Sequence, residues 1–219
     1  SSPVVATVGG RRMVFALTGD ALLAIRADTG AVADAYPWRT RFEANIATPV
    51  VIDGPDEDYV FITSAYDTGN ALLRIEPTAD GARLKKVREQ RGGRAFQTHH
   101  SSPVFLDSST PEVKNRNLFG FDAAVGGRLR CLNLDTGAVN ADWDAGGLMK
   151  GTLVLAGNHF VAQTETGDLH LVAATPDEFR PVARIPRVLS GRNNWATPTL
   201  VDGRLFLRDE EKVVCYDVR

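Results

Sequence analysis

The sequence predicts an all-β chain built from repeated four-stranded antiparallel sheets, and three observations carry that reading. First, a small-residue/Pro/Val signature recurs: SSPVV at 1–5, ATPVV at 47–51, SSPVF at 101–105, GTLVL at 151–155 and ATPTL at 196–200. Anchored on Pro3, Pro49, Pro103, Leu153 and Pro198, the steps are 46, 54, 50 and 45 residues, a spacing in the range of propeller blades. Second, each signature is followed by two further runs of alternating Val, Ile, Leu and Phe. Third, no helical stripe of any length competes with them.

The elements follow in order. The signature is the first strand of each unit. RMVFALT (12–18), DYVFITS (58–64), NLFGFDA (117–123), NHFVAQT (158–164) and RLFLRDE (204–210) are the second strands. ALLAIRA (21–27), ALLRIEP (71–77), RLRCLNL (128–134), DLHLVAA (168–174) and KVVCYDV (212–218) are the third. Thr18-Gly19-Asp20, Asp67-Thr68-Gly69 and Thr166-Gly167-Asp168 supply the glycine that a tight hairpin needs. A weaker fourth run closes four units, as in AVADAYPW (31–38) and AVNADW (138–143). The units span approximately 1–42, 43–95, 96–146, 147–190 and 191–219, and together make a single domain.

Composition narrows the function classes. The chain has 219 residues, 43% hydrophobic and 24% charged, with a formal net charge of −2. That is ordinary globular composition, with no charge excess to suggest nucleic acid. The basic run Arg83–Arg88 alternates with apolar residues and reads as the solvated side of a strand. No apolar run reaches the ~18 residues of a membrane span. Residue 1 is not Met and no signal-peptide pattern opens the chain, so any targeting segment is expected to have been removed or to lie upstream. Gly9-Gly10, Gly92-Gly93 and Gly126-Gly127 read as turns, because no helix follows to make a phosphate loop. The stretch Asp107–Glu112 reads as an exposed hairpin insertion, and Asp209-Glu210-Glu211 as a solvated hairpin tip.

The motif IRADTGAVADAYPW (25–38), with LNLDTGAVNADW (132–143), joins a third strand ending in Asp-Thr-Gly to an outer run carrying Trp. It resembles the tryptophan-docking repeat of quinoprotein (PQQ-type) β-propellers. The stretch from THHSSPVFLD to the C-terminus is similar to a bacterial group of PQQ-binding-like β-propeller repeat proteins. The second and fourth units lack both the Trp and the Asp-Thr-Gly. The resemblance implies that first strands line a central channel and that Trp38 and Trp143 are buried between blades. It implies a ring of seven or eight blades, of which five are present. The last blade lacks its outer strand, and two or three blades are expected upstream; a self-sufficient five-bladed ring is the alternative. A periplasmic or secreted location also follows from the resemblance. On this map Cys131 and Cys215 occupy matching places about 20 Å apart, given sheets ~10 Å apart. That is beyond disulfide reach. Both are expected to be buried.

The candidate site follows from counting back from the anchors. His99 and His100 lie four and three residues before Pro103; the same count gives Asn45, Lys150, Asn194 and Trp195. The resemblance puts these six residues at the mouth of the channel, with Gln97, Arg192 and Glu43 nearby, as a tentative ligand site. Adjacent residues of an extended chain point to opposite faces, so His99 and His100 are not expected to share a metal. No third metal ligand sits at a suitable spacing. The expected function is a non-catalytic, extracytoplasmic scaffold or binding module whose protein or small-molecule ligand sits at that mouth. No catalytic residue, metal or cofactor is assigned. The alternative is a dehydrogenase oxidising alcohols or sugars through PQQ and Ca²⁺. That chemistry asks for a carboxylate base and calcium ligands, and none is evident beside the six.

Overall fold

A computed structural model describes residues 1–111, 113–124 and 127–219. Glu112 of the predicted insertion and Gly126 of the predicted Gly126-Gly127 turn lie outside the described residues. The chain is all-β: no α-helix occurs among the described residues, and no helix is long and apolar enough to cross a membrane.

Among the described residues, eighteen strands form five antiparallel sheets in which strand order follows chain order. Sheet A holds β1 (Val4–Val8), β2 (Arg11–Leu17), β3 (Ala21–Arg26) and β4 (Val32–Pro37). Sheet B holds β5 (Val50–Ile52), β6 (Asp58–Ser64), β7 (Gly69–Thr78) and β8 (Gly81–Gln90). Sheet C holds β9 (Val104–Asp107), β10 (Arg116–Asp122) and β11 (Arg128–Asn133). Sheet D holds β12 (Gly151–Ala156), β13 (His159–Thr164), β14 (Leu169–Ala173) and β15 (Pro181–Ile185). Sheet E holds β16 (Thr199–Val201), β17 (Arg204–Arg208) and β18 (Val213–Asp217). The predicted first, second and third strands therefore all form. The fourth run of sheet C does not: AVNADW makes only the bridge between Leu132 and Val139. Its backbone is diverted by Asn140, whose side chain donates to the Pro176 carbonyl at 2.6 Å.

The chain divides into two compact units. The first comprises Ser1–Ser102 and a short segment beginning at Ala123, and holds sheets A and B. Their faces pack through Met13, Phe15, Leu22, Val60, Ile62 and Leu73, all at most 1% exposed. First strand lies beside first strand (β1 on β5) and last beside last (β4 on β8). The second unit holds sheets C, D and E. Phe119, Leu129, Phe160 and Val172 fill the C–D layer, and Val161, Leu189, Leu205 and Leu207 the D–E layer. Strand β13 is buried on both sides because it lies between two sheets, whereas β17 keeps a half-exposed alternation. Three of the sheets share an irregularity between third and fourth strands, at Ala24/Ile25, Leu72/Leu73 and Leu171/Val172. A bulge there raises the local twist of the outer strand.

The two docking tryptophans are buried as expected, at 0% and 1% exposure. Trp143 donates its N–H to the Thr175 carbonyl at 2.8 Å; Trp38 donates instead to the Ser64 hydroxyl at 2.9 Å. The cysteines divide. Cys131 is buried, and burial pushes its thiol up to about 12. Cys215 is exposed, contrary to expectation, because it sits on β18, the last strand of a three-stranded sheet.

Candidate functional site

The six predicted residues fall in both units: Asn45, His99 and His100 in the first, Lys150, Asn194 and Trp195 in the second. Each group is built up from its own unit.

In the second unit the hairpin between β13 and β14 supplies the platform. Gly167 takes φ +86, and a Cβ there would lie 2.1 Å from the Leu189 carbonyl oxygen, so only glycine fits. The Thr164 hydroxyl accepts from the Asp168 N–H at 3.1 Å, and Gly167 N–H donates to the Thr164 carbonyl at 3.0 Å. The hairpin then stitches both neighbours by main chain. Glu165 N–H donates to the Lys150 carbonyl at 2.9 Å, and the Asn194 side-chain amide donates to the Glu165 carbonyl at 2.8 Å. Side chains converge on the same residue: Lys150 Nζ lies 3.8 Å from Glu165 Oε2, and Trp195 Nε1 donates to that oxygen at 3.4 Å. Lys150 and Trp195 are thus brought together, by a carboxylate that the sequence reading passed over as part of a turn.

Beside this group opens a cleft of about 350 Å³, lined by Met149, Lys150, Glu165, Thr166, His170 and Arg184 among others. Burial, and then the neighbouring Arg184, lower the His170 pKa, so its imidazole is neutral at pH 7. The site therefore offers an ammonium, an indole 37% exposed and a neutral imidazole around a carboxylate that is already compensated. That set suits hydrogen bonding and ring contact with a ligand.

Asn194 plays another part. It is fully buried, and its amide donates to both the Glu165 and Gly191 carbonyls at 2.8 Å. Asn45, at the same repeat position, is 8% exposed and does the same in the first unit: its amide donates to the Thr18 carbonyl of the β2–β3 hairpin. Its carbonyl oxygen accepts from Ser64, the hydroxyl that also receives Trp38. Asparagine four residues before the anchor thus ties a new sheet to the preceding hairpin. Gln97 serves a related end, accepting the Asp67 N–H at 2.9 Å. Arg192 and Glu43 are exposed.

His99 and His100 do not point apart. Their ring centroids lie 3.8 Å from each other, and His99 meets the Tyr66 ring at 4.8 Å nearly edge-on. The expected alternation fails because residues 99–101 form a bend rather than a strand. Among the described residues, no cluster of three or more His, Cys, Asp or Glu side chains could hold a metal ion.

The hairpin Asp209–Lys212 also differs from expectation. Asp209 is 6% exposed: Oδ1 accepts the N–H groups of Glu211 and Lys212 at 2.9 and 2.8 Å, Oδ2 those of Ser190 and Gly191 at 3.2 and 3.3 Å. These backbone donors, those of Glu211 and Lys212 first, hold the carboxyl down to about 2. An unfolded aspartate titrates near ~3.9, so the folded state gains from the ionised form above that value. The gain is lost as pH falls through about 4 towards about 2. Asp209→Asn should therefore flatten the acid limb of the stability profile over that window, read by urea melts between pH 2 and 5. An unchanged acid limb would assign the acid sensitivity elsewhere.

No protein-family model matches the chain, and no curated protein does. Among solved structures, the chain is similar to BamB from Moraxella catarrhalis, at 16% identity and a TM-score of 0.46, covering 96% of this chain and 67% of that one. It is also similar to CoXyl43, a GH43 β-xylosidase/α-arabinofuranosidase from a compost microbial metagenome. There the identity is 11% and the TM-score 0.38, over 94% of this chain and 84% of that one.

Proposed function

We propose that the chain is a non-catalytic β-propeller binding module of the PQQ-like repeat type, its five sheets being blades of a larger ring. One observation carries the reading: Lys150 and Glu165 line a cleft with partly exposed side chains, and the partly exposed Trp195 indole donates to the same Glu165 carboxylate, all three being held at the β13–β14 hairpin. Rigid placement of an aromatic and a cation is what recognition requires. Glu165 is occupied by both neighbours, which leaves no carboxylate of this group at liberty to act as a base. The resemblance supports a periplasmic or secreted location and a protein or small-molecule ligand at the channel mouth.

The donor set also bears on PQQ and Ca²⁺. A calcium ion wants six to eight oxygen ligands, whereas this cleft supplies two carboxylates, Glu165 and Asp168, each already paired, with Lys150 and Arg184 respectively, beside an imidazole. The residues present do not fit a calcium-held quinone. Adding PQQ and CaCl₂ to the full-length polypeptide should leave the quinone absorbance unshifted and give no dye reduction with alcohols. A shifted spectrum that Lys150→Ala and Trp195→Ala abolish, with alcohol-dependent dye reduction, would establish the dehydrogenase instead.

A further inference from the structure

A second cleft of the second unit, of about 450 Å³, shares no lining residue with the one beside Lys150. Four asparagines, Asn115, Asn117, Asn133 and Asn140, line it together with Asp177. Sheet C gathers most of them. Asn115 precedes β10, Asn117 lies within it, Asn133 ends β11, and Asn140 follows on the run that makes only a bridge. Asp177 comes from the connection between β14 and β15.

The fold decides which atom of each amide is left for a ligand. The N–H groups of Asp135 and Thr136 donate to Asn133 Oδ1 at 3.1 and 2.9 Å, and the Thr136 hydroxyl donates to it at 3.0 Å. A backbone N–H can only donate, so the atom it meets is the oxygen. Asn133 Nδ2 is then left with no partner among the described residues. Asn117, 2% exposed, orients the next amide: its Oδ1 faces Cys131 Sγ at 3.7 Å. Its Nδ2 donates to the Asn115 carbonyl at 3.1 Å and to Asn115 Oδ1 at 2.7 Å. Asn115 Nδ2 is thereby left without a partner among the described residues too. Asn140 serves the architecture: Oδ1 accepts the Asp142 N–H at 3.0 Å, and Nδ2 donates to the carbonyls of Pro176 and Asp177. That holds Asp177, whose Oδ2 accepts from the Thr175 hydroxyl at 3.0 Å while Oδ1 stays open.

We infer that this cleft binds the hydroxyl groups of a neutral sugar. Two oriented N–H donors and one carboxylate oxygen border the same space, and a hydroxyl accepts and donates through a single atom. The oxygens of all four amides are taken up inside the protein. A metal ion would therefore meet N–H groups and one carboxylate, and no cluster of three His, Cys, Asp or Glu stands among the described residues. An anion would meet Asp177 and, among the described lining residues, no cation. Arg116, beside Asn115, is bonded to Asp135 at 2.9 Å, and Lys114 acts on that same carboxylate. Among the described residues no aromatic ring lines the cleft for a base to stack on, whereas Ala138 and Pro176 give the short apolar contacts that suit the C–H face of a sugar. The site has no residue in common with the Lys150–Trp195 group, so the two can fail separately.

The test is saturation-transfer difference NMR on the full-length polypeptide with maltose, cellobiose and lactose. Glucuronic acid, glucosamine and an N-acetylated triglycine amide run beside them. At least one neutral disaccharide should bind in the millimolar range, more tightly than either charged sugar or the peptide. Asn133→Asp keeps the oxygen that its turn requires, and Asn115→Asp the oxygen that Asn117 requires; each removes only the open N–H donor. Each should lower affinity about tenfold, as should Asp177→Asn, while Trp195→Ala leaves it unchanged. Circular dichroism checks folding; should an aspartate variant fail to fold, Asp177→Asn, at an exposed side chain, carries the comparison. Binding of none of the neutral sugars, unchanged binding by the cleft variants, loss of binding in Trp195→Ala, or equal binding of glucuronic acid, glucosamine or the peptide would each overturn the proposal.

Discussion

Trp143→Ala should cost about 3–5 kcal/mol of stability, the range for truncating a large buried aromatic. The indole is 1% exposed and touches Phe119 at 5.1 Å and Phe179 at 5.3 Å, both nearly edge-on. Removing it opens a void between sheets C and D and strands the Thr175 carbonyl that its N–H satisfies. Trp143→Phe retains most of the ring contact and loses the hydrogen bond, so about 1–2 kcal/mol is expected. Urea melts followed by far-ultraviolet dichroism separate the two. A loss below about 1 kcal/mol for the alanine variant would mean that Trp143 does not dock sheet C on sheet D.

Gly69→Ala should be as damaging for a different reason. Gly69 opens β7 at φ +97, and an added Cβ would lie 2.0 Å from the Gln90 carbonyl oxygen and 3.1 Å from Arg91 Cα. Both are backbone atoms, so the β6–β7 hairpin or the end of β8 has to move. The strain of the left-handed backbone adds to that displacement, and a loss of at least about 3 kcal/mol is expected. Gly30→Ala is the control, since Gly30 also has positive φ (+74) but nothing within 4 Å. It should cost only about 1 kcal/mol. If the two variants melt together, the clash at Gly69 is relieved by a rearrangement that the hairpin tolerates freely.

Much of this was legible in the chain. Strand positions came from alternation and from the recurring signature, because both register physical needs that residue type expresses directly: one face buried, one turn glycine. Gly69 and Gly167 were readable for that reason, whereas the burial of Trp38 and Trp143 followed from the resemblance to the tryptophan-docking repeat. The site was less legible. Lys150 and Trp195 could be found by counting, but Glu165 could not, since nothing in a Thr-Glu-Thr-Gly hairpin says which side chain turns towards the next sheet. Asn45 and Asn194 were rightly grouped by repeat position. Their shared role as hairpin ties is a main-chain matter that polarity alone does not reveal. Asp209 looked solvated because its four partners are backbone amides, which have no letter in the sequence. The contact of His99 with His100 and Tyr66 was hidden for a related reason: it depends on a bend at 99–101 and on positive φ at Tyr66, which a tyrosine normally avoids.

The asparagine ties have a consequence for how the repeats hold and lose their structure. Through Asn45 and Asn194 the entry of one sheet is bonded to the hairpin of the sheet before it. Stability is then shared between nearest neighbours, as in a one-dimensional chain of coupled elements. A sheet flanked on both sides draws on two couplings, an outlying one on a single coupling. In the second unit, sheet D draws on two, through Trp143 towards sheet C and through Asn194 towards sheet E. A polar residue that contributes little to any pocket thereby makes the stability of one sheet depend on the next.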